Sequence, residues 1–399
     1  MNRALRRYIL DKESEIEKVA NLRAYNYQPK TYYFRTNADI DYSRILYSSS
    51  YRRLQGKMQL FVPKSEVFYR NRLTHSHEVA QIAKTIAKKL KLKDSITVQT
   101  CSLAHDIGNP PFGHAGEKFL STCSNASYEG NAQTLRILRR VEERHYDFNG
   151  LNLTIRTLLG VVKYFKKFEE DNQKFIYDDD YDFIKKYLDE YSITHKSIDC
   201  EIMDLSDEIA YAVHDLEDAL KLKYFTIDEL LYEFSINPDY KDVSLDFRRI
   251  IVIAKQFAEK STVYQNSEEY AMLFRKELSS QLVSALILDI DLVDGVLGYK
   301  NLKKLCKGLK SLTFKSIKRQ PDIIEYEQLG KHVLTKLYNM YIDSEFNKNM
   351  VLLPVNYRGS GEINTRLILD YIGGMTDLYA ISQYEKYFGK LLDKGIYFK

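Results

Sequence analysis

Residues 74–91 read THSHEVAQIAKTIAKKLK, and this stretch decides the fold class. The apolar side chains that recur there at the i, i+3, i+4 spacing of one helical face are Val79, Ile82, Ile86 and Leu90. His75 falls on the same face at about 100° per residue, so we expect it to point into the core. His77 lies about 200° around the helix and is expected to face solvent.

Helical periodicity continues on both sides of this stretch. It predicts a helix over about 94–106, which must stop at Asn109-Pro110-Pro111, and another over about 197–221. Only seven prolines and seventeen glycines interrupt the 399 residues. The sequence therefore predicts an all-α protein with at most a few short strands. We expect a helical catalytic body over residues 1–232 and a C-terminal helical extension, 233–399, packed on it.

Four segments lack the helical pattern. Residues 235–246 and 354–361 are expected to be loops, and residues 349–357 are the best candidate for a strand. The acidic run at 168–182, FEEDNQKFIYDDDYD, is expected to form a surface insertion, because runs of charge are usually solvated.

Composition narrows the class of protein. The 59 basic and 55 acidic residues give a net charge of +4, which is too balanced for a general nucleic-acid coat but leaves a local basic patch open. The four cysteines show no CxxC spacing, which disfavours a disulfide framework and fits a reducing compartment. No stretch approaches 18 apolar residues, and the N-terminal sequence does not resemble a signal peptide. We therefore expect a cytoplasmic protein with no membrane partner.

Histidine and acidic side chains collect near the predicted helix ends. His105 and Asp106 close the second helix, where the following turn can bring both side chains to one ion. His114 and Glu117 follow at i, i+3 spacing, which places both on one face if a new helix begins there. Asp207 lies among apolar neighbours on the third helix, where an unpaired buried carboxylate would be costly.

Each of these residues also has an ordinary structural explanation. An inward histidine is often a hydrogen-bonded core residue, a His-Asp pair recurs by chance, and Asp207 can pair with a lysine. Together, however, the residues offer two imidazoles and two carboxylates on three helices. This set suits Mn²⁺, Mg²⁺ or Fe better than Zn²⁺, and the lack of a cysteine disfavours a structural zinc site.

Several segments together resemble one known family, the bacterial deoxyguanosinetriphosphate triphosphohydrolases (dGTPases) among the HD-domain phosphohydrolases. The most specific segments are LAHDIGNPPFGHAGE at 103–117 and MDLSDEIAYAVHDLEDAL at 203–220. The others are YRRLQGKMQLF at 51–61, NRLTHSHEVAQIA at 71–83, EGNAQTLRIL at 129–138, VVKYFKKF at 161–168 and DYIGGMTDLYA at 370–380.

The resemblance implies a metal site and a catalytic pair. The implied metal ligands are His75, His105, Asp106 and Asp207. The divalent cation would be Mn²⁺ or Mg²⁺, with Fe, Zn or Co as further possibilities. The resemblance also implies that His114 is the catalytic histidine, with Glu117 as its acidic partner, and the basic leaving alkoxide makes His114 our expected proton donor.

The resemblance assigns further residues to the substrate. These are Gln55, Arg52, Arg53, Lys163, Tyr164, Tyr211 and Asp215. Gln55 and Asp215 match contacts to the deoxyribose, Tyr211 matches the aromatic residue beside the sugar, and Lys163 begins the Lys-Tyr pair at the triphosphate. Phe165 departs from the pattern, because proline often follows that pair, and the acidic run after it has no counterpart.

The expected activity is metal-dependent hydrolysis of a deoxynucleoside triphosphate (dNTP), preferentially dGTP, at the α-phosphate to give deoxynucleoside and tripolyphosphate. One alternative is an HD phosphodiesterase or nucleotidase acting on another phosphate ester. Another is a nucleotide- or single-stranded-DNA-binding regulatory protein, whose surface would be the basic and aromatic residues of 299–310 and 314–319. The resemblance further implies a homo-oligomer, a hexamer among its forms, with a dNTP or single-stranded DNA as a regulator.

Overall fold

The chain is helical throughout the part that a computed structural model describes, residues 2–26, 34–59, 70–123, 127–318 and 320–391. Those residues form seventeen α-helices and one two-stranded antiparallel sheet. The predicted all-α fold is therefore confirmed.

The helices and strands are numbered in chain order. The first ten helices, α1 to α10, are Arg3–Glu17, Asn37–Leu46, Ser49–Arg53, Arg72–Lys89, Ile96–Ala104, Gly113–Thr122, Gly130–Arg136, Ile155–Val161, Asp178–Tyr191 and Ile198–Lys221. Helices α11 to α13 are Ile227–Ile236, Ser244–Ser261 and Ser267–Asp289. Strands β1 and β2 are Ile290–Val293 and Val296–Tyr299. Helices α14 to α17 are Lys303–Ile317, Pro321–Ile342, Thr365–Gly373 and Asp377–Phe388.

The three helices predicted from periodicity are α4, α5 and α10, and each end lies within two residues of the prediction. Helix α4 begins where the Asn71 side chain accepts from the Thr74 N–H, a capping box that satisfies free N–H groups of the first turn. Along α4, His75 is buried and His77 is exposed, as the helical geometry predicted. Helix α10 packs against α4, α5, α8, α13 and α14, which explains why it is buried along most of its length.

The strand prediction was wrong. Two 3₁₀ turns, Lys348–Met350 and Val355–Tyr357, cover most of residues 349–357, and Asn349 has a left-handed backbone with φ of 54°. The sheet lies instead at β1 and β2, which Asp294 and Gly295 connect with φ angles of 50° and 83°. Two positive φ angles are the requirement of a tight hairpin turn, so this Asp-Gly pair was the missed signal.

The acidic run at 168–182 is not a simple surface insertion. Phe175 and Ile176 are buried, and α9 begins at Asp178. Asp180 is buried and forms an ion pair with Arg139. The second half of the run therefore belongs to the packed body, because a charge that faces a partner does not need solvent.

Three apolar clusters form the core. The first contains side chains of α1, α4 and the five helices from α10 through α14. The second packs α6 against α15, α16 and α17, and the third contains side chains of α2, α5, α8 and α9. The first cluster draws side chains from Leu5 to Leu312, so it crosses the expected boundary at residue 232, and the division into two regions stays a prediction. Among the described residues, no helix combines the length and the apolar character needed to cross a bilayer.

Candidate metal centre and substrate cleft

Four predicted metal ligands come together where α4, α5 and α10 meet. His75 lies on α4, and His105 and Asp106 follow the last turn of α5; their ligand atoms lie within 4.8 Å of one another. Asp207 of α10 joins them, because its Oδ1 lies 3.2 Å from His75 Nε2 and 3.3 Å from His105 Nε2. The structure thus brings the two imidazoles and two carboxylates together, as the sequence predicted.

Outer hydrogen bonds fix the direction of each ligand. His105 Nδ1 lies 2.6 Å from the Ser102 carbonyl oxygen, so its N–H donates there and Nε2 keeps its lone pair for a metal. Asp106 Oδ2 accepts from Arg72 Nη1 at 2.6 Å. Asp207 Oδ2 accepts from Lys163 Nζ at 2.6 Å. Each carboxylate therefore uses one oxygen for a cationic neighbour and turns the other toward the imidazoles.

Burial and neighbouring charge act on the ligands in opposite directions. Burial lowers the pKa of His75, whereas at His105 the charges of Asp106 and Asp207 outweigh burial and raise the pKa. Burial opposes ionisation of Asp106, but His105 first and then Arg72 lower its pKa to about 2. Lys163 likewise overcomes burial and holds the pKa of Asp207 well below its usual range. Both carboxylates are therefore ionised at neutral pH, as metal ligands must be.

The donor set fits a divalent cation. His105 Nε2 is buried and has no well-directed hydrogen bond among the described residues. A buried polar atom is costly without a partner, and a cation between the four groups would supply it. Two nitrogen and two carboxylate donors suit a first-row transition ion or Mg²⁺.

His114 and Glu117 lie on α6, which starts directly after the Gly-Asn-Pro-Pro turn. His114 Nδ1 is 3.3 Å from Glu117 Oε2, so the i, i+3 prediction holds geometrically. Glu117 Oε1 accepts from the Gly130 N–H at 2.8 Å. Although burial opposes it, hydrogen bonding to His114 lowers the pKa of Glu117, which therefore faces the imidazole as an anion. The His114 side chain is 69% exposed and lines a cleft between α6, α10, α14 and α15.

The cleft has a volume of about 720 Å³ and lies between α6, α10, α14 and α15. Tyr211 and Asp215, one turn apart on α10, line it. The Tyr211 ring lies 4.9 Å from the His75 ring between centroids, so the cleft adjoins the metal centre. Burial raises the pKa of Asp215 well above its usual range. A carboxyl group of this kind can donate or accept a hydrogen bond from a neutral ligand group.

None of the other five predicted substrate residues lines the described cleft wall. Lys163 is buried between Asp207 and Asp204, with Nζ 3.4 Å from Asp204 Oδ1. The Tyr164 ring lies under the Lys174 ammonium at 5.2 Å, and Lys174 lines the cleft. The remaining three are absent from the described cleft wall: Gln55 and Arg52 are exposed, and the half-buried Arg53 donates to Ser50 Oγ at 2.7 Å.

The structure adds cationic residues that the sequence did not single out for the substrate. Arg72, on the turn before His75, lines the cleft, and so do Lys307 and Lys310 of α14. The Lys310 ammonium lies 5.3 Å from the Tyr211 ring centroid. Within the described residues, neither α14 lysine has a carboxylate within ion-pair distance. Composition singled out these lysines only as part of a basic and aromatic stretch, and Arg319 of the same stretch lies outside the described residues.

Comparison with known proteins identifies two matching families and several relatives. The HD domain matches residues 72–212, and the phosphohydrolase-associated domain matches residues 299–386. The chain is 49% identical over 395 residues to deoxyguanosinetriphosphate triphosphohydrolase-like protein 2 of Vibrio cholerae, with 98% of both chains covered. It is 33% identical over 381 residues to a deoxyguanosinetriphosphate triphosphohydrolase-like protein of Rickettsia felis, covering 91% of this chain and 94% of that one. A protein with the same description from Shewanella oneidensis is 31% identical over 426 residues, covering 89% and 93%.

Proposed function

The chain belongs to the deoxyguanosinetriphosphate triphosphohydrolase-like family of HD-domain phosphohydrolases, and on that premise we propose that it hydrolyses dNTPs, preferentially dGTP, to deoxynucleoside and tripolyphosphate. The observation that carries the proposal is the cluster of His75, His105, Asp106 and Asp207 beside a cleft lined by Tyr211, Asp215 and His114. The preference for dGTP rests on the family names alone.

In the proposed reaction, water attacks the α-phosphorus and the bond from phosphorus to the 5′ oxygen breaks. A cation would be held by His75, His105, Asp106 and Asp207. We expect Mn²⁺ or Mg²⁺ there in preference to Fe, Zn or Co. It would polarise a phosphoryl oxygen and lower the pKa of bound water. The leaving 5′ alkoxide is strongly basic and needs a proton. We assign this proton to His114, which Glu117 orients through Nδ1.

The negative charge of the triphosphate needs cationic partners. Arg72, Lys307 and Lys310 line the cleft and are the best placed of the described side chains. Lys163, which the resemblance places at the phosphates, would first have to exchange its bond to Asp207 for one to substrate.

Tyr211 and Asp215 are the proposed sugar contacts. A ring packed against C2′ leaves no room for a 2′-hydroxyl, and the Asp215 carboxyl can hydrogen-bond the 3′-hydroxyl. A site built around that bond rejects a 3′-deoxy analogue, because its buried polar group would be left unpaired. Gln55 stays a predicted partner, as do Arg52, Arg53 and Tyr164. The cytoplasmic location, the homo-oligomer and regulation by a dNTP or single-stranded DNA also stay predictions from the family resemblance.

Product analysis tests the proposal. The protein loaded with Mn²⁺ is incubated with each dNTP and with GTP, and the products are separated by ion-exchange chromatography. We expect deoxynucleoside and tripolyphosphate in equal amounts, most rapidly from dGTP, with little turnover of GTP and none with a chelator. Release of pyrophosphate or orthophosphate as the first product would favour a nucleotidase or phosphodiesterase instead.

A further inference from the structure

A carboxylate from the C-terminal region lies directly beneath the start of α6. Asp377, the first residue of α17, is 2% exposed. Its Oδ1 accepts from the Phe112 N–H at 2.9 Å. Its Oδ2 accepts from the Met58 N–H and from the Tyr326 hydroxyl, both at 3.0 Å. One side chain therefore joins three segments that are far apart in the sequence.

The Phe112 backbone needs external support. It has φ of 62° and ψ of 24°, a left-handed conformation that bulky residues rarely adopt, and Gly113 follows with φ of 58°. As the N-cap of α6, Phe112 offers no side-chain hydrogen bond to the helix. The conformation is therefore imposed by its surroundings, and such positions cluster where the backbone must aim a functional group.

The C-terminal region surrounds Phe112. A Cβ at Gly330 of α15 would lie 2.5 Å from the Phe112 ring, so the absence of a side chain there makes room for it. The Tyr326 ring packs against the same ring at 5.5 Å. A second link runs close by, because Lys57 Nζ donates to the carbonyls of both Asn109 and Gly373. The turn before α6 is thus fastened to α15, α16 and α17.

His114 follows Phe112 by two residues, so its direction depends on how α6 begins. We propose that Asp377 is a positioning residue, whose carboxylate holds Phe112 in the left-handed conformation that aims His114 into the cleft. This inference rests on the proposed function for the role of His114. The DYIGGMTDLYA segment at 370–380 would then position His114 as well as pack in the core.

The test compares two buried carboxylates of that segment. In Asp377→Asn one acceptor oxygen becomes a donor, so Met58 and Phe112 can no longer both be satisfied. Asp370→Asn is the matched control, because Asp370 is 1% exposed and pairs with Arg136 and Gln133 of α7 rather than with α6. We expect kcat to fall at least about tenfold in Asp377→Asn alone, with KM and Mn²⁺ affinity by calorimetry within about twofold of the parent.

Coupling to His114 separates positioning from general destabilisation. In a His114→Ala background, Asp377→Asn should cost almost no further activity, because the group it aims is already gone. Equal losses of kcat in Asp377→Asn and Asp370→Asn would overturn the proposal. So would fully additive losses of activity in the double variant of His114→Ala and Asp377→Asn.

A second variant, Gly330→Ala, does not depend on Asp377→Asn folding well. A second measurement, hydrogen exchange, does not depend on substrate. Gly330→Ala pushes on the Phe112 ring from the other side and should lower kcat while preserving Mn²⁺ affinity. Hydrogen exchange of the α6 amides should accelerate in Asp377→Asn, but not in Asp370→Asn, while α5 stays protected. A parent protein that cleaves no dNTP refutes the proposed function, whereas unchanged exchange in α6 refutes the positioning role by itself.

Discussion

At the residue scale, the separation of His114 from the metal ligands makes its role testable. The proposed ligands lie on α4, on α10 and at the end of α5, whereas His114 lies on α6 and is largely exposed. His114→Ala should therefore leave Mn²⁺ affinity within about twofold of the parent while kcat falls about 10²- to 10⁴-fold. Calorimetry with Mn²⁺ and steady-state kinetics on the same preparation measure both. A parallel loss of Mn²⁺ binding would mean that His114 supports the metal site.

A charged group outside the cleft gives a pH-dependent prediction. Glu78 Oε2 lies 2.6 Å from Arg70 Nε and 3.1 Å from His214 Nδ1. Burial opposes its ionisation, but His214 and Arg70 outweigh it and lower the pKa of Glu78 to about 2. A depressed carboxyl pKa contributes stability above the unfolded pKa of 4.5 and loses it as the pH falls toward 2.

Glu78→Gln should consequently be less stable than the parent at about pH 7, by roughly 1 kcal/mol, and the difference should shrink at about pH 3.5. Urea unfolding at both pH values measures it. A difference that is the same at both would show that packing, not charge, explains the loss.

At the element scale, α14 forms the cationic wall of the cleft. Lys310→Ala should raise the KM for dGTP about tenfold, because a charge-assisted hydrogen bond contributes roughly 1.4 kcal/mol or more. Lys315→Ala is the matched control, since Lys315 is exposed on the same helix but absent from the described cleft wall. Steady-state kinetics at fixed ionic strength compare them, and equal effects of the two variants would indicate only a general loss of charge.

Helix faces were predictable at this scale, but partners were not. Periodicity placed His75 inward and His77 outward, because both follow from the geometry of one helix. The contribution of Lys310 depends on α14 packing beside Tyr211 of α10, about a hundred residues earlier in the chain. No local pattern contains that pairing, so the sequence indicated a basic stretch without its location.

At the scale of the whole molecule, the all-α fold followed from the sequence, and its irregular parts did not. The hairpin at 290–299 was missed because β1 follows α13 directly and each strand has only four residues, too few for an alternating pattern to stand out from the helical one. The acidic run at 168–182 was misjudged because the buried Asp180 has a half-buried arginine partner, Arg139, that only tertiary structure brings near.

The bond between Asp377 and Phe112 spans 265 residues, and this separation has a consequence for the order of synthesis. On the ribosome, the proposed metal ligands His75, His105, Asp106 and Asp207 all emerge well before Asp377, which supplies the acceptor for the Phe112 amide. A nascent or prematurely terminated polypeptide could assemble the cation-binding cluster but would lack this tether. Under the proposed positioning role, such a polypeptide would lack the contact that aims His114 into the cleft.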